Sequence, residues 1–282
     1  MKNLLLIATC LFFIQTNAQN PRLIITTDIG GDPDDMQSLT RLLLSANEFD
    51  IEGLIATASG TPGELGKDTV KYPLILEFIK AYSKVHENLL LHDENYPAPA
   101  YLESVAKKGN KFRGWDNVGQ DNDTEGSEWI IHVVDKEDNR KVNITIWGGQ
   151  TDLAQALWKV KHTRSQEEYE RFVSKIRVYD IADQDGLYDN IVNEFPGLFY
   201  ILNKAKDESD KRNAAFRGMY LGGDASLTSG EWLDKHIREG HGPLCRLYPD
   251  ATWTAPNPHK ALKEGDTPSW FFFLDNGLQT PA

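Results

Sequence analysis

The sequence predicts an α/β fold, with an open and mainly parallel β-sheet that is covered by helices on both faces. Short runs rich in valine, isoleucine and leucine alternate along the chain with longer segments of helical apolar spacing. The short runs are continuously apolar, as expected for strands that are buried on both faces. Because no internal repeat, low-complexity tract or linker breaks this order, we expect one large domain.

The individual elements follow from the spacing of the apolar residues. The predicted elements, in chain order, are strand Arg22–Thr27, helix Asp35–Asn47, strand Ile51–Thr57, helix Lys67–Val85, strand Val142–Trp147, helix Thr151–Lys161, strand Ile176–Ile181 and strand Phe216–Leu221. In parallel sheets of this kind, ligands bind at the carboxyl ends of the strands. The residues that directly follow each strand are therefore the candidates for a functional site.

The N-terminus has the pattern of a secretory signal peptide. Lys2 precedes an almost uninterrupted apolar run over residues 4–14, and small residues stand shortly before Gln19. The run is shorter than the roughly 20 residues of a membrane-spanning helix. We therefore expect residues 1–18 to be a signal peptide, residues 19–282 to form the mature domain, and the protein to be exported to the periplasm or the exterior of a bacterial cell.

Charge and cysteine content restrict the class of partner. The chain has 42 acidic and 30 basic residues, a net charge of -12. This balance disfavours a nucleic-acid polymer or an anionic membrane as partner and suits a neutral substrate or a metal ion. Cys245 is the only cysteine after the signal peptide, so an intramolecular disulfide is excluded, and a buried structural cysteine is favoured over a nucleophile.

The turn after the first strand is rich in aspartate. Residues 27–35 read TDIGGDPDD, so four carboxylates fall within eight residues at the carboxyl end of a strand. Such carboxylates repel one another unless a cation lies among them. Oxygen ligands favour calcium or magnesium over zinc. Capping of the next helix is the alternative for Asp34, but only one or two residues can cap, so capping is a weak explanation of the whole cluster.

Three segments resemble the nucleoside hydrolases. IITTDIGGDPDDMQSL is similar to the family's N-terminal signature, in which a strand ends in Asp-Thr-Asp-Pro-Gly and two adjacent aspartates open the next helix. It is more similar still to the nucleoside hydrolase-like domain of exported bacterial proteins named cellulose-binding. WGGQTDLAQAL, residues 147–157, resembles the family's Gly-Pro-Leu-Thr-Asn-Leu-Ala segment, and EGDTPS, residues 264–269, stands where the family has a late aspartate followed by proline.

The resemblance implies an open, Rossmann-like sheet and a site for calcium. The implied ligands are Asp28, Asp35, the backbone carbonyl of Thr151 and Asp266. Asp28 would also act as the general base that deprotonates the attacking water, and Asp34 would contact a sugar hydroxyl. The expected function is therefore calcium-dependent hydrolysis of a glycosidic bond, N-ribosidic or O-glycosidic. The expected partner is a sugar, a nucleoside-type small molecule or an oligosaccharide, and self-association into a homo-oligomer is left open.

The sequence also departs from the nucleoside hydrolases. The aspartate turn is two residues longer, with Asp32 and Pro33 inserted, and Ala-Ser-Gly-Thr at residues 58–61 replaces Ala-Gly-Asn. An acidic segment follows the strand at 176–181 in place of the family's asparagine-rich ribose segment. We predict that its members Asp183, Gln184 and Asp185 contact the sugar, and a solvated turn is the equal alternative. These departures motivate a second hypothesis, a non-catalytic protein that binds carbohydrate with the help of a metal ion.

Overall fold

Six parallel strands form one sheet in the order β3-β2-β1-β4-β5-β6. The computed structural model describes residues 19–60, 70–205, 224–250 and 261–274. The strands are β1 Arg22–Thr27, β2 Asp50–Ala56, β3 Ala106–Lys108, β4 Val142–Ile146, β5 Ile176–Ile181 and β6 Phe199–Asn203. Every neighbouring pair of these strands runs parallel. The predicted α/β fold with a parallel sheet is confirmed.

Helices cover both faces of the sheet. The α-helices are α1 Pro33–Leu44, α2 Tyr72–Ser83, α3 His86–Leu89, α4 Pro99–Val105, α5 Glu125–Asp135, α6 Gln150–Thr163, α7 Gln166–Ser174, α8 Tyr188–Glu194, α9 Gly230–Leu233, α10 Gly242–Cys245 and α11 Thr267–Phe271. Successive residues of β1 point to opposite faces, so Leu23 and Ile25 enter one buried cluster and Ile24 enters the other. The first cluster contains the apolar side chains of α1 and α2, and the second contains those of α5, α6 and α7.

The chain reverses its winding between β1 and β4, which are neighbours in the sheet. The helix that follows β1 packs on one face, and the helix that follows β4 packs on the other. The two connections therefore separate and leave a crevice at the carboxyl ends of these two strands. Crevices of this kind are where open α/β sheets bind their ligands. The crevice lies between the aspartate turn and the start of α6.

The bounds of most predicted elements agree with the structure. The predictions for β1 and β5 are confirmed residue for residue, and β2 and β4 differ from theirs by one residue. Helix α2 begins at Tyr72, later than predicted, because Pro73 suits only the first turn of a helix. The predicted strand Phe216–Leu221 and the predicted signal peptide 1–18 lie outside the described residues.

The surroundings of Cys245 and the lengths of the helices bear on two further expectations. Cys245 is 7% exposed and forms no disulfide, so the predicted burial of this cysteine is confirmed. Among the described residues, no helix has the length and apolar character that crossing a bilayer would require.

Candidate functional site

The turn between β1 and α1 places its aspartates at the carboxyl end of the sheet. Gly30 adopts a φ of +88°, in the left-handed region that glycine tolerates, and the N–H of Gly31 donates to the Asp28 carbonyl over 3.1 Å. The N-cap of α1 is Asp32, and its side chain makes no capping hydrogen bond. Asp34 and Asp35 stand in the first turn of the helix. Helix capping by Asp34, the alternative raised from the sequence, is therefore wrong.

Asp266 reaches the same place from the segment before α11. Two hydrogen bonds anchor that segment to α1, because Gln37 Oε1 accepts from the backbone N–H groups of Lys263 and Glu264 over 2.6 and 3.0 Å. Oxygens of Asp34, Asp35 and Asp266 consequently lie within 4.8 Å of one another. The structure thus brings together carboxylates that are more than 200 positions apart in the chain.

The buried members of this aspartate cluster are electrostatically unfavourable to one another. Asp35 and Asp266 are 2% and 1% exposed. Burial raises the pKa of both carboxyls well above the usual range, and the neighbouring carboxylates, Asp28 among them, raise it further. The hydroxyl of Thr27 donates to Asp35 and partly opposes that rise. The cluster therefore holds more negative charge than its immediate surroundings stabilise.

Asp28 directly follows β1, at the carboxyl end of the sheet. Its Oδ2 accepts from the backbone N–H of Gly60 over 3.3 Å. Gly148, which follows β4, packs so closely that a Cβ there would lie 2.8 Å from the Asp28 carboxyl carbon, so glycine is required at this position. Burial raises the pKa of Asp28 to about 6, and the guanidinium of Arg113 opposes part of the rise. A carboxyl with such a pKa is suited to accept a proton near neutral pH.

The chemistry of the cluster fits a hard divalent cation. All side-chain donors are carboxylate oxygens, the ligands that calcium and magnesium prefer. The Oδ2 atom of Asp266 is buried and has no hydrogen-bond partner among the described residues. A buried carboxylate oxygen without a donor is costly, and a cation beside it would remove the cost. The cluster of Asp34, Asp35 and Asp266 is thus the part of the described chain that could hold a metal ion.

Thr151 lies in the first turn of α6, on the opposite side of the crevice. Its backbone N–H and its hydroxyl donate to Asp185 Oδ2 over 2.9 and 2.6 Å. The preceding Gly149 has a φ of +84° and lies against Thr57, where a side chain would collide. The assignment of the Thr151 carbonyl as a metal ligand stays a prediction.

The acidic segment after β5 is held by internal hydrogen bonds. The side chain of Asp185 is fully buried and forms an ion pair with Arg113 over 2.7 Å, so the alternative of a solvated turn is wrong for this residue. Asp183 accepts from Gln150 Nε2 over 3.0 Å and pairs with a lysine, and exposed Gln184 donates to a backbone carbonyl. The predicted contact of Asp183, Gln184 and Asp185 with a sugar stays a prediction.

Two cations at the site were not predicted from the sequence. Arg113 lies beside Gly60, where only a residue without a side chain leaves room for the guanidinium. Lys263 is 3% exposed and pairs with Asp32 and Asp34. Burial lowers the pKa of Lys263 to about 8, and nearby carboxylates oppose this. The only sequence signal for Lys263 was its place directly before the segment at 264–269, and Arg113 had none.

Asp180, a further buried carboxyl, makes stability depend on pH. Its Oδ2 accepts from Gln150 over 2.9 Å and from the Tyr200 hydroxyl over 2.8 Å. Burial raises its pKa to about 8. Because the folded protein keeps this proton while the unfolded chain loses it near pH 4, the contribution to stability falls from about pH 4 to pH 8. We expect Asp180→Asn to stabilise the protein at pH 8 relative to the parent by on the order of a few kcal/mol, and much less at pH 5.

Urea denaturation at pH 5 and pH 8 would measure this difference. Asp138→Asn is a control of opposite sign, because hydrogen bonds from Arg140 lower the pKa of Asp138 to about 2. That control should lose the same stability at pH 5 and at pH 8, because both values lie above the unfolded pKa near 4. Equal effects of Asp180→Asn at both pH values would contradict the prediction.

Comparison with known proteins gives two matches. A family model described as "Cellulose-binding Sde182, nucleoside hydrolase-like domain" matches residues 22–282. Among solved structures, the chain is similar to a nucleoside hydrolase-related hypothetical protein from Saccharophagus degradans that is associated with carbohydrate metabolism, with 38% identity and a TM-score of 0.75. The match covers 93% of this chain and 57% of that chain, so it spans a little over half of that protein. No curated protein is significantly similar to the chain.

Proposed function

The chain belongs to the cellulose-binding Sde182 nucleoside hydrolase-like domain family, and from this premise we propose that it is an exported, calcium-dependent hydrolase of a glycosidic bond. The substrate would be a sugar-containing small molecule or an oligosaccharide, with an N-ribosidic or an O-glycosidic linkage. The observation that carries the proposal is the convergence of Asp34, Asp35 and Asp266 within 4.8 Å in the crevice, beside Asp28.

The residues divide into those that would hold the ion and those that would act on the substrate. Asp28, Asp35 and Asp266 would hold calcium, with the backbone carbonyl of Thr151 as a further ligand. When bound, the ion supplies positive charge that orients vicinal hydroxyls and favours the ionisation of water. Asp34 would accept a hydrogen bond from a sugar hydroxyl.

Asp28 would be the general base. Its backbone is fixed at the end of a buried strand, and the Gly60 N–H holds its Oδ2 in place. The other carboxylate oxygen, Oδ1, lies beside Gly148. A Cβ at that position would be 2.9 Å from Oδ1, so the lack of a side chain there leaves this oxygen uncovered. Asp28 would take the proton of the attacking water, and a positioned carboxylate of this kind contributes about 10²–10⁴-fold to a rate.

A second candidate function is carbohydrate binding without turnover. The observation that favours it is the network around Asp185, because a side chain that is fully buried and paired with Arg113 offers little to a substrate. The family description names cellulose binding, and it supports this candidate as well as the first. In this case the aspartate cluster would anchor a sugar diol through the ion, and no bond would be broken.

Calorimetric titration of calcium into the mature protein would test the shared part of both functions. The titration would be repeated with ribose, a nucleoside and a cello-oligosaccharide, and each mixture would then be analysed for released sugar. Calcium binding that strengthens with one of these ligands and is followed by product release would support the hydrolase. The same binding without product would support the second candidate, and the absence of calcium binding would refute both.

A further inference from the structure

The insertion in the aspartate turn meets a lysine from the far end of the chain. Asp32 is one of the two residues inserted in the aspartate turn, and Lys263 directly precedes the segment that supplies Asp266. The ammonium of Lys263 pairs with Asp32, and it lies 3.7 Å from Asp34 Oδ2. An inserted carboxylate and a lysine from the other end of the chain thus form an ion pair at the edge of the aspartate cluster.

The position of this lysine is fixed from several sides. Its side chain is 4% exposed, and its backbone N–H donates to Gln37 Oε1 of α1. The adjacent Glu264 is fully buried and pairs with Arg41, also on α1. A buried charge that loses its partner is strongly destabilising, so the ammonium is held to the cluster by electrostatics as well as by its backbone.

The lysine and a divalent cation would be drawn to the same carboxylates. Asp34 pairs with Lys263 and also belongs to the group of oxygens that converge on a point suited to a metal ion. A divalent cation held by Asp28, Asp35 and Asp266 would be repelled by the ammonium, which lies beside Asp34 next to them. In a buried site this repulsion is screened less than in water, so it lowers the affinity for the ion.

We propose that Lys263 is a built-in counterion of the metal site, which stabilises the aspartate cluster when no ion is bound and weakens the affinity for calcium through the positive charge that it holds beside Asp34. The inference rests on the proposed function only for the presence of a divalent-cation site, and it adds the residue that sets the affinity of that site. In this proposal the inserted Asp32 is the residue that holds the Lys263 ammonium at the edge of the cluster.

The test uses substitutions whose expected effects have opposite signs. Lys263→Met removes the positive charge and should tighten calcium binding by roughly tenfold or more, while the melting temperature of the calcium-free protein falls. Asp32→Asn removes a carboxylate and leaves the lysine nearer to Asp34, so it should weaken calcium binding. A merely structural role for the ion pair predicts weaker calcium binding in both variants, because each would distort the site.

Two further variants complete the design. Lys159→Met is the matched control, because Lys159 also pairs with two carboxylates but lies at the surface, and it should leave calcium affinity unchanged. Lys263→Gln is the second neutral variant, which retains a hydrogen-bond donor for Asp32 if the methionine variant does not fold. Calcium affinity would be measured by calorimetry with calcium chloride alone, and stability by thermal unfolding in chelator.

The outcomes separate this inference from the proposed function. Calcium binding that is tighter in a neutral variant at position 263 than in the parent supports the counterion role. Measurable binding by that variant alone, with none by the parent, supports it as well. Calcium binding by the parent that is unchanged or weaker in the neutral variants overturns the counterion role and leaves the metal site intact. If neither the parent nor the neutral variants bind calcium, the metal site itself is refuted, and the counterion role with it.

Discussion

Replacing Asp28 by Asn is expected to lower turnover by about 10²–10⁴-fold while the fold is retained. The amide has the shape of the carboxylate and can still accept from the Gly60 N–H, so the turn after β1 keeps its hydrogen bond. What the variant loses is the group that would accept the proton of the attacking water. It also loses one negative charge beside the metal site, so calcium affinity should fall in the same variant.

Steady-state kinetics on the glycoside found in the titration experiment would measure the effect. Saturating calcium should be used, because this separates the loss of the base from the loss of the ion. Asp189→Asn is a suitable control, since Asp189 is an exposed aspartate in the first turn of α8 and should leave turnover unchanged. Turnover by Asp28→Asn within a few-fold of the parent would remove Asp28 from the role of base.

Replacing Asp266 by Asn is expected to change stability in opposite directions with and without calcium. Without the ion, the buried Asp266 carboxylate has an oxygen with no donor among the described residues and is repelled by Asp28. A neutral amide removes this repulsion, so the calcium-free variant should be more stable than the parent by about 1–3 kcal/mol. The stabilisation that calcium gives, about 2.7 kcal/mol at one hundred times the dissociation constant, should be largely lost.

Thermal unfolding in chelator and in excess calcium would show both effects. Asp123→Asn is the control, because Asp123 lies near the surface, where it pairs with Lys159. That control should keep the calcium response of the parent. A destabilised, calcium-responsive Asp266→Asn protein would show that Asp266 supports the fold and does not ligate the ion.

The sheet could be predicted from the sequence because its signals are local. The strands β1 and β5 are short runs rich in isoleucine, leucine and valine, and burial on both faces favours that composition in a central strand of a parallel sheet. Strand β3 has only three residues, Ala-Lys-Lys, and β6 lies at the edge of the sheet with an exposed phenylalanine. Neither carries the fully buried pattern, which is why both were missed.

The aspartate turn was also visible as a local signal in the sequence. The structure shows which residues from elsewhere in the chain lie against that turn. Carboxylates crowded at a strand end indicate a cation site from spacing alone, and Asp34 and Asp35 do converge with Asp266. Their segments are linked in space through Gln37 of α1, a contact that spans more than 220 positions. The place of Asp266 was expected only from a resemblance to a family, since no periodicity connects segments so far apart.

By itself, then, the sequence determined two features: an α/β sheet, and an aspartate turn after the first strand of that sheet. The tertiary structure decided which charges meet there. Lys263 beside Asp32 and Arg113 beside Asp185 are pairs formed by folding, between residues that no local pattern relates. The physical reason is that hydrophobic periodicity acts within one element, whereas the charge balance of a buried site depends on every element that packs around it.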